Sequence, residues 1–142
     1  MSFRPETLRG AASGEQLTGH VDYRLARNAI VSEYRKGRLS RLDVCDAHPE
    51  LLRAAINAGE DTQEDCPICE ESRVRLVSYV FGTGLPPSGR MVSSKSDLRK
   101  LAGAGRDLAC YIVEVCPRCS WNHLARSIAL SGPARAKRRA TT

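Results

Sequence analysis

Two cysteine doublets, Cys66-Pro67-Ile68-Cys69 and Cys116-Pro117-Arg118-Cys119, constrain this chain more than any other feature. Each sets two thiols on one tight turn, and a zinc ion takes four thiolates at the corners of a tetrahedron. Two such turns, with 46 residues between them, predict one shared site with Cys66, Cys69, Cys116 and Cys119 as ligands and Zn2+ as cofactor. Four thiolates leave the ion no open position for water or substrate, so the expected role is structural.

The segment between the doublets explains how they meet. Arg73 to Phe81 alternates Arg73, Arg75, Val77, Tyr79 and Phe81 with Val74, Leu76, Ser78 and Val80, a strand pattern. Gly82, Gly84, Pro86, Pro87 and Gly89 interrupt it. Ser94 and Asp97 form a capping box for a short helix over 95–102, stopped by Gly103. Leu108 to Val115 is a second, more apolar strand that runs into the second doublet. In an antiparallel pair the start of one strand lies beside the end of the other, so pairing alone joins the doublets. Beyond Cys119, the spacing of Trp121, Leu124, Ala125 and Ile128 predicts a helix ended by Gly132-Pro133.

Ahead of the doublets, residues 1–19 lack a sustained apolar period and read as a flexible arm. A helical pattern over His20 to Lys36 sets Tyr23, Ala26, Ile30 and Tyr34 on one face, with Gly37 as its stop. Ser40 and Asp43 suit a capping box for a short helix over 41–46. Pro49 opens a third helix that Gly59 closes, turning Leu51, Leu52, Ala55 and Ile56 inward. The expected class is α+β. A three-helix N-terminal module over 20–59 precedes a zinc-ribbon β-hairpin over 60–132, with an inserted loop or helix and a C-terminal helix. A basic disordered tail over 133–142 completes the chain.

The net charge of +6 is unevenly placed. Residues 60–72 hold six acids and no base, residues 73–132 nine bases and three acids, and the tail four bases and no acid. Those four, Arg135, Lys137, Arg138 and Arg139, are the candidate contacts to a nucleic-acid backbone, with a merely solubilising end as the bland counterpart. With one Trp, two Phe and four Tyr, most at core-like spacing, base stacking is not expected. No N-terminal apolar run resembles a signal peptide, and no stretch approaches membrane-spanning length. The expected compartment is the cytoplasm, where paired C-x-x-C turns serve as metal ligands more than as disulfides.

Other residues admit chemistry and are weighed against plainer roles. Cys45 and Cys110 read as small buried hydrophobes, with a second metal site using His48 or His123 as the sharper alternative. His48 suits a helix cap, and His123 the helix surface beside the second doublet, where it can support a zinc-bound thiolate. Residues 41–46 and 49–58 have helix-turn-helix order, yet offer base edges only Arg53 and Asn57 beside Glu50. A strand, C-P-x-C and helix in succession is also how glutaredoxins present a reactive thiol. Folds of that type need further strands after the helix, and 23 residues follow Cys119. No phosphate loop and no nucleophile with a base stands out, so no enzyme is expected.

The doublets resemble the knuckles of zinc-ribbon proteins, which usually read C-P-x-C-Gly; Glu70 and Ser120 stand where that class has glycine. In Arg41-Leu42-Asp43-Val44-Cys45-Asp46-Ala47-His48-Pro49-Glu50-Leu51 together with Cys116-Pro117-Arg118-Cys119-Ser120-Trp121-Asn122, the chain resembles a small family of uncharacterised actinobacterial proteins, a likeness that covers most of its length. The resemblance implies no activity. The expected function is a non-enzymatic adaptor docking on a nucleic-acid machine such as RNA polymerase or the ribosome. A DNA-binding regulator using residues 41–58 is the alternative, and a thiol redox protein the third.

Overall fold

In the computed structural model, which describes residues 20–87, 89–92 and 107–131, the two strands that flank the insertion form the centre of the molecule. The elements run β1 (His20–Asp22), α1 (Arg24–Arg35), α2 (Arg41–Val44), α3 (Pro49–Ala58), β2 (Glu60–Asp65), β3 (Arg73–Gly82), β4 (Arg90–Val92), β5 (Asp107–Val115) and β6 (Asn122–Ser131). β3 pairs antiparallel with β5 from Arg75 opposite Val115 to Gly82 opposite Leu108. The sheet order is β1-β6-β5-β3-β2, and β4 pairs with β3 beyond the stretch that β2 occupies. The whole is a curled antiparallel half-barrel.

This overturns the expected three-helix module with a zinc-ribbon hairpin and C-terminal helix. The segment after the second doublet is a strand, β6, paired along β5. The misleading helical spacing has a physical source. Arg126 lies opposite Ile112 and Leu124 opposite Val113, so Ala125 is an extra residue bulged out of the ladder. The bulge shifts the alternation by one, and the buried Leu124 and Ser127 come to be three residues apart. A bulged strand thus imitates a helical period, and the free edge of β5 decides between the two.

The three helical segments exist, but they do not pack into a module of their own. Val31 is the buried residue of α1, Val44 that of α2, and Leu51 and Ala55 those of α3. Helices with so little apolar surface cannot close a core together, and each must borrow from a sheet. α3 lies on one face of β3 and β5, where Leu51 and Ala55 meet Val77, Tyr79, Phe81, Val113, Val115 and Leu124. α1 packs toward β6, and Val31 and Val44 join Val74, Trp121 and the cysteines in a second core. A third core of Val80, Val92, Leu108 and Cys110 covers the far end of the sheet.

The helical pattern expected from His20 begins instead at Arg24, because residues 20–22 pair with β6 as β1. The inward face is rotated as well. Arg27, Ile30, Val31 and Tyr34 turn in, while Ala26 is exposed. Ile56, expected inside, is 57% exposed. The local caps follow their residues closely. Ser40 Oγ accepts from the Asp43 N–H at 3.1 Å, and Asp43 Oδ2 accepts from the Ser40 N–H at 2.8 Å. His48 Nδ1 accepts from the Glu50 N–H at 3.1 Å ahead of Pro49. Arg75 fastens the end of α3, donating to the carbonyls of Ala55 and Ile56 at 2.8 and 3.0 Å while pairing with Asp61 at 2.9 Å.

The acidic run ahead of the first doublet is the edge strand β2, and its charges discourage another chain from pairing there. No helix among the described residues is long and apolar enough to cross a membrane. The arm over 1–19, the short helix expected over 95–102, and the tail with Arg135, Lys137, Arg138 and Arg139 lie outside the described residues.

Candidate metal centre

Each doublet sits in a turn between neighbouring strands, Cys66–Cys69 between β2 and β3 and Cys116–Cys119 between β5 and β6. The turns are closed alike. The Cys66 N–H donates to the Ser72 carbonyl at 2.7 Å, and the Glu70 N–H to the Cys66 carbonyl at 3.1 Å. In the second, the Cys116 N–H donates to the Trp121 carbonyl at 2.8 Å and the Ser120 N–H to the Cys116 carbonyl at 2.9 Å. Because β3 and β5 are antiparallel neighbours, both turns fall at one end of the sheet.

There the four Sγ atoms lie within 4.8 Å of one another. Cys66 Sγ is 3.6 Å from Cys119 Sγ, and Cys69 Sγ 3.7 Å from Cys116 Sγ. A disulfide would need about 2.0 Å. A tetrahedron of thiolates about 2.3 Å from a central ion has edges of about 3.8 Å, close to both spacings. The cluster can therefore hold a metal ion.

The backbone is arranged for anionic sulfur. The Ile68 N–H donates to Cys66 Sγ at 3.4 Å and the Cys119 N–H to Cys116 Sγ at 3.5 Å. The N–H groups of Glu71 and Trp121 serve Cys69 and Cys119 in the same way. Burial pushes the Cys66 thiol up to about 11 and raises that of Cys119 as well. Burial also acts upward on Cys69, but the Glu71 N–H and the three neighbouring thiols outweigh it and leave Cys69 below the ordinary thiol range. Four thiolates this close repel one another, and a divalent cation is what allows them to be deprotonated together.

The cluster rests on a buried polar chain that sequence reading missed. Trp121, fully buried beside Cys66 and Cys116, donates its Nε1 hydrogen to Glu114 Oε2 at 3.1 Å. Arg27 grips the same carboxylate with two bonds, Nε to Oε1 at 2.9 Å and Nη2 to Oε2 at 3.2 Å. The pair ties α1 to β5 across 87 residues of sequence, a distance over which no local pattern links a helix arginine to a strand glutamate. A cavity of about 460 Å³, with both residues in its wall, opens between Arg24, Arg126, Leu76 and Leu124.

The remaining candidates separate clearly. His123, expected on a helix surface, is buried in β6; its ring stacks on Trp121 with centroids 6.1 Å apart, and Nδ1 meets the Leu124 carbonyl at 2.7 Å. His48 caps α3. Cys110 is buried in the third core, away from the doublets, and burial pushes its thiol up to about 11. Cys45, by contrast, packs against the core that contains Cys66 and Cys116. Cys116–Cys119 precedes a strand, so the helix N-terminus that a glutaredoxin-like presentation requires is absent there. Arg53 and Asn57 are exposed on α3, whereas α2 is a single turn of four residues.

Three proteins described as uncharacterised, one from Mycobacterium bovis and two from strains of Mycobacterium tuberculosis, are each 41% identical over 120 residues. That alignment covers 83% of this chain and 88% of each relative. No solved structure matches the chain. Residues 15–142 match the family of unknown function DUF5318, and the chain belongs to that family.

Proposed function

We propose that the four cysteines hold one structural Zn2+ and that the protein is a non-enzymatic adaptor built around it. The observation that carries the metal reading is the spacing of the thiols: 3.6 and 3.7 Å across the two turns, too long for disulfides and close to a zinc-thiolate tetrahedron. All-sulfur donation favours zinc among ions without redox chemistry, and four protein ligands close the site to substrate. The ion would clamp β2, β3, β5 and β6 at one end and support the core where Val31 and Val44 dock. Metal analysis of full-length protein purified without chelator tests this: one zinc per chain is expected. Cobalt exchanged into the site should show tetrahedral, thiolate-rich absorption. Metal-free protein that takes up neither ion overturns the reading.

The adaptor part rests on different ground. A closed metal site does no chemistry on a ligand, and the four bases of the tail supply a contact that phosphate backbones attract irrespective of sequence. The partner class this favours is a nucleic-acid machine rather than a specific DNA site, because α2 is one turn long and α3 commits Leu51 and Ala55 to the sheet. Binding of the full chain to RNA and duplex DNA over a salt series tests it.

A further inference from the structure

The curl of the sheet leaves a cavity that neither the metal nor the adaptor role uses. Its wall takes residues from all five strands of the path β1-β6-β5-β3-β2 and from α1. In a flat sheet, four strand spacings of about 4.8 Å would hold the two edges about 19 Å apart. Here Arg24, which opens α1 just after β1, places Nη1 3.2 Å from Glu64 Oε1 on β2. The cavity of about 460 Å³ therefore lies inside the curl, with this exposed ion pair at its rim. Val74, Leu76 and Leu124 give the wall an apolar side, and the largely buried Arg27–Glu114 pair gives it a charged one. Replacing such a pair by apolar residues of similar volume often stabilises a protein, so stability alone does not account for one in a cavity wall.

The hydrogen bonds decide which charge the cavity can accept. Three arginines and three carboxylates line it, and each carboxylate is already engaged. Glu114 takes two bonds from Arg27 and one from Trp121, Glu64 takes Arg24 Nη1, and Asp22 Oδ1 accepts from the Arg24 N–H at 2.8 Å. The arginines are not used up. Arg24 keeps Nε and Nη2. The exposed Arg126 lies opposite Asp22 in the β1–β6 ladder, and its guanidinium has no hydrogen bond or ion pair among the described residues.

We propose that this cavity binds a small organic monoanion, a carboxylate with an apolar body. Arg126 and Arg24 hold the carboxylate at the rim, by the paired N–H bonds that guanidinium groups make to that shape. Val74, Leu76 and Leu124 cover the body. With its other charges balanced, the wall accommodates one added negative charge better than two. The volume lies in the range of small-molecule sites, about 300–1,000 Å³. The inference goes beyond the metal and adaptor readings and rests on neither.

The test titrates octanoate, octan-1-ol and octylammonium, which share a chain length and differ in charge, into the full chain and follows the heat. Octanoate should bind one to one, about tenfold tighter than octan-1-ol, with octylammonium weakest. Arg126→Gln, at an exposed position, should keep octan-1-ol binding and lose most of the preference for octanoate. Ala125→Phe and Leu76→Trp fill the cavity from two strands and should each remove octanoate binding, with circular dichroism as the check of folding. No saturable octanoate binding by folded wild type overturns the proposal, as does equal affinity for octanoate and octan-1-ol. A preference that survives Arg126→Gln and Arg24→Gln together overturns the anion assignment. Octanoate bound undiminished by a folded, filled variant overturns the site.

Discussion

Glu70 and Ser120 hold the same place in the two cysteine turns. Each follows the last cysteine of its doublet, and each has a left-handed backbone, with φ of 56° and 76°. Among the described residues they are the two non-glycine positions with positive φ. Zinc-ribbon knuckles commonly have glycine there, so this chain keeps the turn and accepts the strain of a Cβ, about 1 kcal/mol at each position.

Glu70→Gly and Ser120→Gly should therefore each stabilise the zinc-loaded protein, by up to about 1 kcal/mol, after allowing for the greater freedom of unfolded glycine. Thermal unfolding of the single and double variants checks this. A lower midpoint in both would mean that the side chains contribute more than the strain they cause.

Removal of one metal ligand should have a much larger effect. Structural zinc binding in small domains supplies about 10–16 kcal/mol, which matches or exceeds the net stability of a typical domain. Cys66→Ser should abolish stoichiometric zinc and unfold at least the core of Val31, Val44, Val74 and Trp121. Trp121 is the one tryptophan in the chain, so its fluorescence reports that core directly. A strong chelator should produce the same red shift in wild type.

The Arg27–Glu114 pair yields a third expectation. Both side chains are largely buried, and the Trp121 indole depends on the same carboxylate. Glu114→Ala leaves a largely buried guanidinium without its carboxylate and takes the acceptor from the indole N–H, at a cost of about 3–5 kcal/mol. Urea titrations of Glu114→Ala, Arg27→Ala and the double variant should show a double-variant loss well below the sum of the singles. Additive losses would mean that the two residues act independently.

Alkaline pH should weaken the fold in a predictable window. Burial holds Cys110 at about 11 and Tyr79 at about 12, above the ordinary values near 9 and 10. Above pH 9 the unfolded chain releases these protons first, so stability present below that point is lost as pH rises toward 11 and 12. Cys110→Ala has no thiol to ionise at this position. Its stability, measured by urea titration from pH 8 to 11, should fall less steeply than that of wild type. Parallel curves would remove Cys110 from the account.

Truncation after Gly132 removes Arg135, Lys137, Arg138 and Arg139. Binding to RNA or duplex DNA should weaken at low salt, and the slope of log affinity against log salt should flatten by about three to four. Discrimination between DNA sequences that survives truncation and is lost in Arg53→Ala or Asn57→Ala would favour the DNA-regulator reading instead. No binding by the full chain at low salt would leave a protein partner as the remaining option.

The parts of this protein that its sequence determines alone are those set by interactions over a few residues. Ser40 with Asp43, His48 with Pro49, and the two C-P-x-C turns are closed by neighbours, so their side chains suffice to specify them. The strands over 73–82 and 107–115 are nearly as local, since alternation marks the first and an apolar run the second, and their antiparallel pairing brings four cysteines to one end. Tertiary structure decided the rest. Residues 122–131 became a strand because β5 offered an edge, and the bulge at Ala125 disguised that outcome as a helical period. The three helices settled on the sheet because none had enough apolar surface to form a core with the others. Arg27 turned inward because Glu114 waits 87 residues away, and the segment after α2 lies against the second turn because the Ala47 N–H bonds the Ser120 carbonyl there. Partners that far apart leave no local period in a sequence, because the free energy that selects them exists only once both surfaces are in place.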